Sequence, residues 1–239
     1  MPVMACFYLV GGLVMLIANI TNLPHAFALI FEGAFNPQAI LGGAVGIGVR
    51  EAMRYGVARG LFSNEAGMGS TPHAHAMAKV EKPQDQGVVA MVCVFIDTFV
   101  VLTITALVMI TSGALNVGNM AANPAAENMA QVAFSTVFGS FGNFYVAICL
   151  LFFAFSTIIG WYFFGEQNIK YLFGTKGTTP YRLIVMGFIV LGSVLQVDLV
   201  WELADMFNGL MVLPNLIALI GLSKIVSMAL RDYDANNPR

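Results

Sequence analysis

The sequence predicts an all-α, polytopic membrane protein with about six transmembrane helices, one of them discontinuous. Three observations carry that prediction. Only 10% of the 239 residues are charged, 58% are hydrophobic, and the mean hydropathy is +0.79. A soluble domain carries roughly 25% charged residues, so this chain cannot coat a water-facing surface. Apolar runs also recur at lengths near the roughly 20 residues that a helix needs to cross a bilayer. Finally, Lys and Arg alternate from one connecting loop to the next. The same composition excludes other classes. A net charge of −2 leaves no basic face for a nucleic acid. Cys6, Cys93 and Cys149 sit in apolar runs with no paired spacing, which predicts buried inert thiols rather than metal ligands or a disulfide framework.

The elements follow in order. Pro2 to Asn22 is apolar and lacks both a basic leader and a small-residue cleavage site, so it is expected to span rather than to be removed. Gly43 to Lys79 is apolar at its start and small and polar through its middle; it is expected to be the second crossing. Gln86 to Ser112 is the clearest span. Ala114 to Ser140 is rich in Ala and Asn, with Met129, Val132, Ala133 and Val137 at helical spacing, which predicts an outer loop carrying one short surface helix. Asn143 to about Tyr171, Tyr181 to Val197 and Phe207 to Ala229 complete six crossings in a single transmembrane domain over 1–239.

Charge sets the expected orientation. Lys79 and Lys82 mark one loop, and Lys170, Lys176 and Arg182 mark another. Lys224, Arg231 and Arg239 mark the tail, whereas Gly113 to Gly142 holds no Lys or Arg and Asp198 to Asp205 holds only acids. Positive loops lie on the cytoplasmic side. Both termini are therefore expected inside, in a multi-pass protein of the cell (inner) membrane. One stretch resists the scheme. "VREAMRYGVARG" places Arg50, Glu51, Arg54 and Arg59 in the outer half of the second crossing, where charge is costly unless it faces protein or water. A wet vestibule lined by Arg50 and Arg54, with Glu51 as local partner, and an extracellular surface helix both fit.

The most informative string is "GLFSNEAGMGSTPHAHAMAK", Gly60 to Lys79. Asn64, Gly67 and Gly69 make a poor helix, and Ser63, Ser70 and Thr71 compete for backbone groups. In a bilayer such unwinding is tolerated only against protein or a cavity. There it is useful: freed carbonyls suit a cation, and a following half-helix suits a carboxylate. Ser70, Thr71 and Pro72 are expected to open that half-helix, with Pro at an early position. His73 and His75, two apart, point to different faces and make poor joint metal ligands. Glu65 is either a functional carboxylate or a partner for freed amides. Asp97, followed by Thr98 in mid-span, is either a functional intramembrane acid or a helix–helix bond. A second polar cluster, "FAFSTIIGWYFFGEQN", places Thr157 and Trp161 one turn apart on one face, with Ser156 beside them. A hydroxyl next to a broad ring suits a small polar ligand with a short apolar side chain; the alternative is a hydroxyl bonded back to its own helix and a Trp that packs.

At these residues the chain resembles a known family. "RGLFSNEAGMGSTPHAHAMA" and "FSTIIGWYFFGEQ", with "NITNLP" and the Asp97–Thr98 pair, are similar to the alanine or glycine:cation symporters, sodium-coupled transporters of small amino acids. The resemblance implies a leucine-transporter-like fold of two inverted five-helix repeats, of which this chain is the second. It implies that "FSNEAG" is the unwound break, with Phe62, Ser63, Asn64 and Gly67 near the bound amino acid. It implies that Thr157 and Trp161 contact substrate and that Ser156 and Thr157 supply hydroxyls to the cation. The expected ligands are alanine or glycine and sodium as coupling ion, with no cofactor and no catalytic residue. Six crossings equal one helix plus one repeat, so the chain is expected to work with a missing N-terminal half in the same or a separate chain. The alternative is a truncated or split-gene membrane subunit that keeps the fold but does not transport alone. An intramembrane enzyme has no support, for no HExxH spacing or nucleophile set is present.

Overall fold

Runs this apolar leave the backbone no water to bond with, and the helix satisfies every amide within one segment. The computed structural model describes residues 2–35, 45–115 and 128–236, with side chains over 3–35, 53–115 and 128–235. Among them the secondary structure is helical throughout. In chain order the helices are α1 (Pro2–Ala18), α2 (Leu23–Phe35), α3 (Val45–Asn64), α4 (Thr71–His75), α5 (Pro83–Thr111), α6 (Met129–Phe138), α7 (Ser140–Phe173), α8 (Thr178–Val194) and α9 (Val197–Asn236). Four described helices (α5, α7, α8 and α9) are long and apolar enough to cross a membrane. The pair α1–α2, bent by 76°, makes a fifth if it counts as one broken span. Their surfaces remain exposed and apolar along most of their length, as lipid-facing helices require.

The first compact unit comprises 1–54 and 98–159. Its core joins Met15, Val108, Ala133, Phe134, Tyr145 and Cys149. Phe134 stacks on Tyr145 at 5.4 Å between ring centroids, and the Tyr145 hydroxyl donates to the Phe7 carbonyl at 2.5 Å. α1 does not run through to Asn22 as its apolar sequence suggested. It ends at Ala18, because the amide of Asn19 turns back to the Met15 carbonyl at 3.0 Å and that of Asn22 reaches the Thr111 carbonyl at 3.1 Å. Pro24 then opens α2, which packs on the second half of α5. The short helix expected between Ala114 and Ser140 exists as α6. It is not a free surface helix, for Ala133 and Phe134 are buried in this core. Of the three thiols only Cys149 is buried; Cys6 and Cys93 are exposed, which corrects the expectation for those two.

The second unit comprises 55–97 and 160–239. Here the charge-rich stretch 198–205, expected to be an outer loop, is helical. The turn after α8 is only Leu195–Gln196, and α9 runs 40 residues from Val197 with Pro214 inside it. Asp198 in its first turn complements the helix dipole. The Asp205 carboxylate accepts from Arg59 Nη1 at 2.6 Å. An acid read as loop was therefore a helical residue with a partner 146 positions earlier. At the other end of the unit, Gln84 Nε2 donates to the Ala229 carbonyl at 2.8 Å, and Lys82 Nζ lies 5.3 Å from the Tyr233 ring centroid. The junction of α7 and α8 is held by Glu166, which accepts from Arg182 at 2.8 Å and pairs with Lys170 at 3.5 Å.

Candidate functional site

The discontinuity predicted in the second crossing is present. α3 stops at Asn64. Glu65 then adopts the left-handed conformation (φ 58°), a single 3₁₀ turn covers Ala66–Met68, and Gly69 is left-handed again (φ 80°) before α4 begins. A non-glycine residue at positive φ is uncommon, so Glu65 has to be held. Ser70 Oγ donates to Glu65 Oε2 at 3.0 Å, and the Trp161 side chain lies beside the same carboxylate. Of the two roles open to Glu65, the bond to its carboxylate comes from the Ser70 hydroxyl and not from a freed backbone amide.

The side chains at the break replace the lost helical bonds. Asn64 Nδ2 donates back to the Gly60 carbonyl at 3.0 Å, while its Oδ1 accepts from the Ala66 amide at 3.1 Å. Thr71 Oγ1 donates to the Asn64 carbonyl at 3.0 Å. Ser63 Oγ donates to Asp97 Oδ2 at 2.5 Å. Asp97 sits in a six-residue π-helical stretch of α5, Ile96–Val101; such bulges re-aim side chains and gather at functional sites. Asp97 is therefore a helix–helix bond that fixes Ser63.

Phe62 packs edge-on against Trp201 at 6.1 Å, and the Arg59 guanidinium lies 4.2 Å over the same ring. Arg59 is thus held by a carboxylate and an aromatic face together. Arg54 is exposed, and the Arg50 and Glu51 side chains lie outside the described residues. α4 is only five residues long, with Pro72 early in it as expected, too short for a useful dipole. His73 Nδ1 lies 3.0 Å from the Ser70 carbonyl and its Nε2 3.3 Å from Asn168 Oδ1, whereas His75 Nδ1 lies 2.6 Å from Gln86 Nε2. The two imidazoles serve different helices. Beside His75 a cavity of about 570 Å³ opens between α4 and α5, lined by Thr71, Pro72, Gln86 and Ala90 among others.

Within the second unit the structure thus brings Phe62, Ser63, Asn64, Gly67 and Trp161 around one break. Ser156 and Thr157 lie on α7 in the part assigned to the first unit. Ser156 Oγ donates to the Phe153 carbonyl of its own helix at 2.9 Å. The Thr157 side chain is exposed and has no hydrogen-bond partner among the described residues. Sequence reasoning missed Asn215, whose Nδ2 donates to the Ala66 and Gly67 carbonyls at 3.1 and 2.9 Å. It also missed Trp201. The one available signal was an Asn directly after a Pro within an apolar run.

Comparison with known proteins gives the family. The model of the sodium:alanine symporter family matches residues 1–239. A transporter of Haemophilus influenzae without assigned substrate is 45% identical over 97% of the chain and 50% of its own length. A sodium/alanine symporter of Methanococcus maripaludis is 42% identical over 94% and 48%. A probable sodium/glutamine symporter of Bacillus subtilis is 41% identical over 97% and 47%. The chain spans about half the length of the curated relatives it matches.

Proposed function

From the premise that this chain belongs to the sodium:alanine symporter family, a family of transporters and not of enzymes, we infer that it forms one half of a sodium-coupled small-amino-acid symporter. In this reading residues 1–239 act together as one transmembrane domain. The observation that carries the reading is the break at Glu65–Gly69 with Trp161 at its side. An unwound segment at membrane depth exposes polar backbone where a zwitterion needs it, and Trp161 closes the space beside it. In this reading Phe62, Ser63, Asn64 and Gly67 lie along the substrate and Trp161 limits its side chain. Thr157, one turn away on the same face, offers substrate or cation a hydroxyl. Ser156 joins Thr157 as cation ligand: its hydroxyl donates to the Phe153 carbonyl and keeps its oxygen lone pairs for the ion. Alanine or glycine is the substrate; one relative is named for glutamine instead. Transport proceeds by alternating access, and no chemistry is needed.

The fold in this reading is the second repeat of a leucine-transporter-like architecture, with the bent pair α1–α2 and the broken pair α3–α4 completing six crossings. In this reading the complementary half comes from the same or a separate chain. The second reading is a membrane subunit that keeps this fold but does not transport alone. Binding of labelled alanine, measured in sodium and in potassium, tests the assignment. Sodium-dependent binding that glycine competes for is expected. Binding indifferent to the cation would remove the coupling.

Orientation is proposed from charge. The Gln84–Ala229 bond puts the Lys79–Asp85 loop and the tail at one end of the second unit, and Arg59–Asp205 lies at the opposite end of α9. In a variant with Cys6, Cys93 and Cys149 replaced, Leu115→Cys is expected to label from outside and Lys176→Cys from inside. Labelling of both from one face would contradict this topology.

A further inference from the structure

Unwinding a helix frees carbonyls, and each must find a donor or a cation. At this break two of them, Ala66 and Gly67, accept from a single nitrogen, Asn215 Nδ2, at 3.1 and 2.9 Å. A primary amide carries two N–H groups, so both are spent. Asn215 is reached from α9 immediately after Pro214. At 100° per residue Trp201, Asp205, Asn208 and Asn215 share one face of α9. That face holds the broken segment at two places. Asp205 and Trp201 hold Arg59 on α3, ahead of Phe62, and Asn215 holds the unwound backbone at Ala66 and Gly67. Gly69 completes the fit: a Cβ there would lie 2.7 Å from Asn215 Oδ1.

We propose that Asn215 is the positioning residue of the broken segment. Its amide fills, at the Ala66 and Gly67 carbonyls, the place a cation would otherwise take, so the coupling ion binds elsewhere and α9 moves together with the break. The proposal rests on the reading of the break as the ligand site, but the contact itself does not. A partly positive N–H₂ group satisfies two converging carbonyl dipoles as a small cation does. It carries no mobile charge, however, and is covalently tied to α9. The break therefore keeps its shape whether or not an ion is bound, and a shift of α9 is transmitted to Ala66–Met68 without an intermediary.

Hydrogen–deuterium exchange of the full chain in nanodiscs tests this without requiring transport. Asn215→Leu removes both donors. Asn215→Asp keeps the shape, removes the donors and supplies a carboxylate. In both variants exchange across Ala66–Ser70 is expected to rise roughly tenfold or more relative to wild type, with the rest of α3 unchanged. Sodium is expected to restore protection in Asn215→Asp only, because a cation can then bridge the carboxylate and the two carbonyls. Asn215→Gln, which keeps the donors on a longer arm, is expected to fall between. Unchanged exchange in the folded Leu and Asp variants overturns the proposal. So does sodium protection of these amides in wild type, which would place the ion on the carbonyls, or an Asp variant that sodium does not re-protect. Failure of wild type to bind alanine would instead strike the functional reading and leave this contact standing.

Discussion

Gly69→Ala is expected to abolish ligand binding while leaving the rest of the membrane domain folded. Gly69 has φ 80°, and an added Cβ would meet Asn215 Oδ1 at 2.7 Å and Asn215 Cβ at 3.2 Å. The left-handed conformation costs an L-residue roughly 1–2 kcal/mol. Moving Asn215 aside would also give up its two hydrogen bonds to Ala66 and Gly67, about 0.5–1.5 kcal/mol each. The sum of about 2–5 kcal/mol is a roughly 30- to several-thousand-fold loss in the population with the break correctly formed. Gly192→Ala is the control: Gly192 lies in α8 with open space beside it, and alanine is the better helix former. Alanine affinity and melting temperature, measured on both variants, separate the effects. Normal binding by Gly69→Ala would show that the break tolerates another geometry.

Trp161→Ala is expected to weaken alanine binding and to admit larger side chains such as leucine. Trp161 touches Phe164 edge-on at 6.1 Å and lies beside Glu65, so it stands near the unwound segment from α7. Losing that apolar wall costs about 1–3 kcal/mol, or roughly 5- to 150-fold in affinity. Thr157→Val keeps the shape one turn away and removes a hydroxyl that no described residue engages. A ligand or cation short of one bond loses about 1–3 kcal/mol, with no change in the preference among amino acids. Competition binding by alanine, glycine, serine and leucine reads both. A preference order unchanged in folded Trp161→Ala would move the wall to another residue.

How much of this was legible beforehand divides by length scale. Composition alone specified helices in a bilayer, and the Asn64–Gly69 string located the discontinuity, because local backbone chemistry decides where a helix cannot continue. The pairing of Thr157 with Trp161 followed from helical periodicity. What escaped depended on partners distant in sequence. Asp205 read as loop because its acidity was weighed without Arg59, 146 residues earlier. Asn215 drew no reading, since an Asn after Pro214 does not by itself announce that its amide caps Ala66 and Gly67. α1 read as running to Asn22 because Asn19 and Asn22 are inconspicuous until their amides are seen on the Met15 and Thr111 carbonyls.

The central claim is that this broken helix and the Trp161 face are half of a sodium-driven path for a small amino acid. Uptake of labelled alanine into proteoliposomes under an inward sodium gradient tests it most directly, with the chain alone and with the chain joined to a segment equivalent to the other half of its relatives. The account predicts no uptake by the chain alone. It predicts gradient-dependent uptake by the joined protein, lost when sodium is replaced by potassium and redirected toward larger amino acids by Trp161→Ala. Sodium-driven uptake by the chain alone, or a correctly inserted joined protein that moves alanine without regard to sodium, would contradict it.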